Sequence, residues 1–113
     1  MAEYRQLEIY WVNLDPTVGR ETQKKRPCVI IQSDIVNKKS QTLIAAPLLS
    51  DHKPWPFAVN IAPTPHNGLD KERHLNLKQL RVVDIMRLEN KQGQLEVKYW
   101  AKIKQALGIV FGL

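Results

Sequence analysis

Apolar positions in this chain come in short runs rather than long periodic stretches. Residues 8–14, EIYWVNL, are rich in β-branched and aromatic side chains and read as a strand that Asp15-Pro16 ends. Residues 17–26 are polar, with one glycine, and read as a loop. Residues 27–32, PCVIIQ, form a short continuous apolar run, the mark of a buried strand. Residues 34–40 look turn-like. Residues 42–48, TLIAAPL, predict another buried strand, whose ladder should end or bulge at Pro47 because proline has no N–H to donate. A proline-rich connection over 51–56 leads to an alternating strand at 57–61, and residues 62–73 read as an exposed loop. Residues 74–84, HLNLKQLRVVD, predict one long or bent strand, and 89–94 a turn around Gly93. Only residues 95–110 show helical spacing, with Val97, Trp100, Ile103, Leu107 and Val110 at three- and four-residue steps. Several short strands followed by one helix predict a mainly β fold. A twisted antiparallel sheet curled into a small barrel, with the helix packed across it, would bury these faces.

Length and composition narrow this picture. A chain of 113 residues is read as one domain, residues 1–113. Apolar residues are 43% and charged residues 25%, ordinary for a soluble globular protein. A single cysteine, Cys28, excludes an internal disulfide and a cysteine-based zinc site, and it suits the reducing cytoplasm. The first residues lack the pattern of a signal peptide, and no apolar stretch approaches the ~20 residues of a membrane span. No membrane partner is therefore expected.

Charge adds a candidate chemistry. The net charge is +6 and the pI about 9.6, which fits an anionic partner. The excess is concentrated at residues 18–27, VGRETQKKRP, where Arg20, Lys24, Lys25 and Arg26 face only Glu21. Cations this crowded repel one another and are relieved when a phosphate backbone lies among them. His52, His66 and His74 show no metal-ligand spacing, and Trp11 and Trp100 fall in apolar patterns. Trp55, between Pro54 and Pro56, is placed either to pack over the rim of the barrel or to stack on a base.

The run IYWVNLDPTVGRETQKKRPCVII resembles the amino-terminal signature of the MazF/PemK toxins, small endoribonucleases of toxin–antitoxin pairs. The shared elements are Asp15-Pro16, Gly19-x-Glu21 and Arg26-Pro27. The resemblance continues through Ala46-Pro47, Pro56-Phe57 and Gly68-Leu69, then through residues 79–84, QLRVVD, and Arg87-Leu88. It implies an SH3-like small barrel of the MazF/CcdB plasmid-maintenance-toxin type and a homodimer. It implies metal-independent cleavage of single-stranded RNA through a 2′,3′-cyclic phosphate, with no cofactor, and a cognate acidic antitoxin as partner. By this resemblance Arg26 stabilises charge on the phosphorane and Glu21 is a general base or an orienting group. Arg20, Lys24 and Lys25 hold the RNA backbone, and Gln79 and Arg81 join the RNA-binding set.

The chain departs from the family at one telling place. Members usually carry a hydroxyl residue two positions after the proline of the third strand. Here that position is Leu49, and the hydroxyl comes one residue later, at Ser50. A bulge after Pro47 would bring Ser50 into the vacated place, so Ser50 is the third expected catalytic residue. Some members also have an arginine and an acid where Asn76 and Lys78 stand, and a histidine where Arg20 stands. Two other readings stay open. The terminal Phe111-Gly112-Leu113 resembles the carboxyl end of the CcdB toxins, which poison DNA gyrase by protein–protein contact. Alternatively, the chain is a catalytically degenerate member that binds only RNA or an antitoxin.

Overall fold

The computed structural model describes residues 3–113. Among them, seven strands form one antiparallel sheet: β1 (Glu8–Asn13), β2 (Lys25–Ile30), β3 (Thr42–Ser50), β4 (Ala58–Ile61), β5 (Arg73–Asn76), β6 (Arg81–Asp84) and β7 (Leu88–Gln94). Spatial order is β4-β5-β3-β2-β1-β7, with β6 also paired to β3. The expected mainly β architecture is present, but the barrel is not closed: β4 and β7 are the two ends of the path and are not paired among the described residues. No helix among the described residues is long and apolar enough to cross a membrane.

Strand alternation divides the apolar residues between two faces. One face carries Ile9, Val29, Ala46, Leu48, Val59 and Leu75. Helix α2 (Trp100–Phe111) covers it, inserting the fully buried Ile103 and resting Trp100, Leu107 and Val110 against the same core. Burying a side chain such as Ile103 contributes about 1.5–3 kcal/mol. The opposite face carries a smaller core of Val12, Cys28, Ile30, Leu43, Ala45 and Val83.

Several elements differ from expectation. The helical segment begins as a 3-10 turn at Val97–Tyr99, and Val97 is exposed rather than part of the buried stripe. The helix ends at Gly112, whose φ of 69° is left-handed, with Leu113 N–H donating to Gly108 O at 2.8 Å. The terminal Phe111-Gly112-Leu113 is thus the cap of a helix. A four-residue helix, α1 (Asp34–Asn37), replaces the expected turn. The expected turn at 89–94 is strand β7, a polar edge strand paired only with β1, whose side chains give no apolar alternation. Gly93 is needed there, because a Cβ would collide with the backbone of Asn67.

Pro47 shows why residues 74–84 are not one strand. β3 itself runs unbroken past Pro47, with Cys28 opposite Pro47 and Leu48, Leu49 and Ser50 opposite Leu75, His74 and Arg73. Ile31 N–H donates to Ile44 O at 2.9 Å, so by alternation Pro47 turns its missing N–H toward the β5–β6 side. There the partner chain leaves the ladder, making a 3-10 turn at Leu77–Gln79 between β5 and β6. The interruption expected in β3 is accommodated by its neighbour.

Candidate functional site

The loop between β1 and β2 is held at both ends. At its start, Arg87 Nη1 donates to the carbonyls of Asn13 at 3.0 Å and Asp15 at 2.6 Å, and Arg81 Nη1 donates to Leu14 O at 3.3 Å. The peptide bond before Pro16 is cis. At its end, Lys24 N–H donates to Asp15 Oδ1 at 3.0 Å, and Leu14 N–H donates to Lys24 O at 3.0 Å. Between them, Thr22 N–H donates to Gln79 Oε1 at 3.3 Å. Arginines suit the first role because one guanidinium can satisfy several carbonyls. Arg87 is an anchor that residue-by-residue reading passed over; its only sequence signal was the Arg87-Leu88 pair.

A cleft of about 490 Å³ opens between this loop and the β5–β6 connection. Glu21 and Thr22 line one side and residues 78–82 the other. Three expected site residues, Glu21, Gln79 and Arg81, therefore meet there. Glu21 Oε1 accepts Val18 N–H at 2.7 Å, closing its own turn and leaving Oε2 for another donor. Gln79 and Arg81 are both engaged in holding the loop.

Arg26 lies in β2 rather than in the loop, opposite Val12 at the rim of the smaller core. Its Nε donates to Gln23 O at 3.2 Å, which leaves both Nη groups for a ligand. Burial pushes the nearby Cys28 thiol up to about 12, opposed by the positive charges of Arg81 and Arg26. By alternation Arg26, Cys28 and Arg81 lie on the same face of the sheet. Alternation sends Lys25 to the opposite face from Arg26, and it pairs with Glu89 at 3.1 Å. That pair is well exposed and is a weak restraint. Arg20 and Lys24 are exposed on the loop.

The bulge expected to rescue Ser50 does not occur. The β2–β3 ladder ends at Cys28 opposite Pro47; by alternation Arg26 and Leu49 share the sheet face of that pair, and Leu49 stands opposite His74. Ser50 pairs with Arg73 and belongs to the other face. An uninterrupted period of two forbids both neighbours from sharing the face of Arg26, and that face goes to leucine.

His74 lies on β5. It is 2% exposed, with Nδ1 on Asp51 O at 2.8 Å. Because a carbonyl can only accept, Nδ1 is the protonated nitrogen. Nε2 is buried without a partner among the described residues. Residues 51–55 fold over this histidine, and nothing in the local sequence signals that cover. Among the described residues, no three or more histidine, cysteine, aspartate or glutamate side chains are grouped to hold a metal ion.

Comparison with known proteins agrees with this fold. The profile of a family described as PemK-like, MazF-like toxin of type II toxin–antitoxin system matches residues 5–111. A relative from Staphylococcus saprophyticus, named endoribonuclease MazF, is 34% identical over 111 residues, 96% of this chain and 92% of its own. A Bacillus subtilis relative named endoribonuclease EndoA is 29% identical over 107 residues, 94% and 92% of the two chains. Among solved structures, MazF from Deinococcus radiodurans covers 100% of both chains with a TM-score of 0.81 at 22% identity. A mycobacterial endoribonuclease in complex with its cognate antitoxin covers 97% and 96%, with a TM-score of 0.79 at 18% identity. At those identities the structural likeness speaks for the fold.

Proposed function

Since the chain belongs to the PemK-like, MazF-like toxin family of type II toxin–antitoxin systems, we propose that it is a toxin that cuts single-stranded RNA by attack of the ribose 2′-oxygen. All 113 residues act as one toxin domain. The observation that carries the reading is Arg26, whose free Nη groups share a sheet face with Arg81 beside the cleft. Its relatives named endoribonuclease supply the reaction class.

In this reaction the 2′-oxygen bonds to the adjacent phosphorus and the bond from phosphorus to the 5′-oxygen breaks. One fragment ends in a 2′,3′-cyclic phosphate and the other begins with a 5′-hydroxyl, whose oxygen takes its proton from solvent water as it leaves. The nucleophile is part of the substrate, so no metal-activated water is required. Arg26 meets two phosphoryl oxygens with its planar fork and stabilises the charge of the phosphorane. Glu21 Oε2 takes the 2′-hydroxyl proton or orients that hydroxyl. Arg20 and Lys24 hold the strand on the loop side. Gln79 and Arg81 keep the loop against β6 and face the RNA, and Lys25 yields Glu89 for a phosphate. Ser50, once expected beside Arg26, has no part in this chemistry.

The working form is a cytoplasmic homodimer with the RNA groove along its joint, and the inhibitor is a cognate acidic antitoxin that occupies the same groove. Antitoxin affinity should therefore fall as salt rises. Light scattering tests the dimer, and a monomer at micromolar concentration would remove it.

The deciding experiment incubates the protein with a long RNA in EDTA and maps new ends. New 5′-hydroxyl ends, abolished in a folded Arg26→Ala variant, are expected. A variant that cuts like the parent would overturn the role of Arg26. No cleavage by the parent, together with inhibition of DNA gyrase, would favour the gyrase-poison reading.

A further inference from the structure

Outside the cleft, an aromatic surface stands beside His74, which pairs with Leu49. Trp55 and Phe57 have ring centroids 5.3 Å apart and planes inclined by 42°. Trp55 remains 41% exposed although its other contact is edge-on to His74, at 5.5 Å and 88°. Lys53 Nζ lies 5.5 Å from the Trp55 centroid, and Lys78 Nζ lies 5.6 Å from that of Phe57. Lys78 also lines the cleft, so the two places are continuous.

The platform is rigidly mounted. Pro54 and Pro56 restrict the backbone on either side of Trp55. Asn60 clamps Lys53 at both its N–H, 2.9 Å, and its carbonyl, 3.0 Å. His74 is fixed beneath Trp55 by its bond to Asp51 O. The buried Nε2 of that histidine still lacks a donor among the described residues. An exposed indole held this firmly loses little freedom when a flat ligand settles on it.

We propose that Trp55 and Phe57 form a stacking subsite for one nucleobase of the single-stranded RNA, with Lys53 and Lys78 on the flanking phosphates. This rests on the nuclease reading and adds a second point of contact. Stacking is open to every base because each has a π-face, and the lysines match the backbone on both sides. Arg26 lies on β2 and His74 on β5, with β3 between them. The stacked base therefore belongs to a nucleotide near the scissile phosphate rather than to the one cut. Loss of the platform should weaken binding and raise KM, and leave kcat at saturating RNA close to that of the parent.

The test uses a 2′-O-methyl oligonucleotide, which cannot be cut because its nucleophile is blocked. Trp55→Ala should weaken its binding about 10-fold or more, the range of one lost stacked base, and Trp55→Phe should retain most of it. In the unmodified protein, a photoreactive 5-iodouridine in the same oligonucleotide should crosslink to Trp55 or Phe57. That readout stands even if a variant fails to fold. Binding by folded Trp55→Ala equal to the parent, or crosslinks confined to other residues, would overturn the subsite. So would Trp55→Ala that keeps the oligonucleotide but loses an acidic antitoxin peptide, which would make the surface a protein contact. Tight binding of the oligonucleotide through Trp55 by a parent that never cuts RNA would leave the subsite standing and remove the nuclease reading instead.

Discussion

The backbone N–H of Thr22 donates to Oε1 of Gln79 at 3.3 Å, a bond that spans 57 residues of chain. It is the point at which the middle of the basic loop meets the β5–β6 connection. The bond is partly buried, so losing it costs about 1 kcal/mol. Gln79→Ala should therefore lower global stability by no more than about 1 kcal/mol. It should speed hydrogen exchange at the Thr22 amide and raise KM for RNA. Unchanged exchange at Thr22 would show that the loop is positioned by other contacts.

Leu49 and Ser50 give a reversed expectation. Leu49 stands opposite His74 on the sheet face of Arg26, and Ser50, opposite Arg73, lies on the other face. Ser50→Ala should change cleavage by no more than about two-fold. Leu49→Thr should raise it, by up to about 10²-fold, the worth of one positioned transition-state donor. Rates from both variants under single-turnover conditions decide the matter. A large loss in Ser50→Ala would mean that β3 slips when RNA binds.

Asn67 should be a stability residue with no role in cleavage. It is fully buried; its Oδ1 accepts from the Thr64 and Leu69 amides at 3.0 Å each. Its Nδ2 donates to Ala62 O at 3.0 Å and Glu96 Oε1 at 3.1 Å. Asn67→Ala leaves several of these groups unpaired and should cost about 2–4 kcal/mol, read from urea unfolding. A loss below half a kcal/mol would refute this accounting.

Acid should loosen the same loop. Desolvation works to raise the Glu96 carboxyl, but hydrogen bonds, chiefly from Thr64, outweigh it and hold the carboxyl below its ordinary 4.5. Its folded value is the lower one, so its contribution is present above about pH 4.5 and is lost as pH falls through the folded value. Glu96→Gln should flatten the fall in stability below that pH. An identical acid profile would show that other carboxylates dominate.

Alkali acts through Cys28 and Tyr10. Burial raises the Cys28 thiol from 9.0 to about 12. Burial, then the charge of Glu8, raises the Tyr10 hydroxyl from 10.0 to about 12. Raised values mean stability that is complete below about pH 9 and is lost as pH climbs toward 12. Unfolding midpoints at pH 8, 10 and 11 should fall, and less steeply in Cys28→Ala. The folded protein at pH 8 should react slowly with a thiol reagent. Reaction as fast as a free thiol would place Cys28 outside the core.

Strands β1 and β2 and helix α2 were legible in the sequence because each satisfies its own pattern: an apolar run, or apolar residues at helical steps. The Asp15-Pro16, Gly19-x-Glu21 and Arg26-Pro27 spacing likewise carried the family. Strand β7 was not legible, because an edge strand of polar residues follows from the bonding needs of β1 and from no pattern of its own. The break in residues 74–84 answers to a proline in a different strand.

What the sequence by itself determined is thus the class of fold and the family, both encoded in local spacing. Only the tertiary structure decided which residues share a face. A shift of one residue in a strand turns a side chain to the opposite side of the sheet, and register is set by partners far along the chain. That is why Leu49, and not Ser50, shares the sheet face of Arg26, why Lys25 lies on the opposite one, and why His74 is buried beneath Trp55.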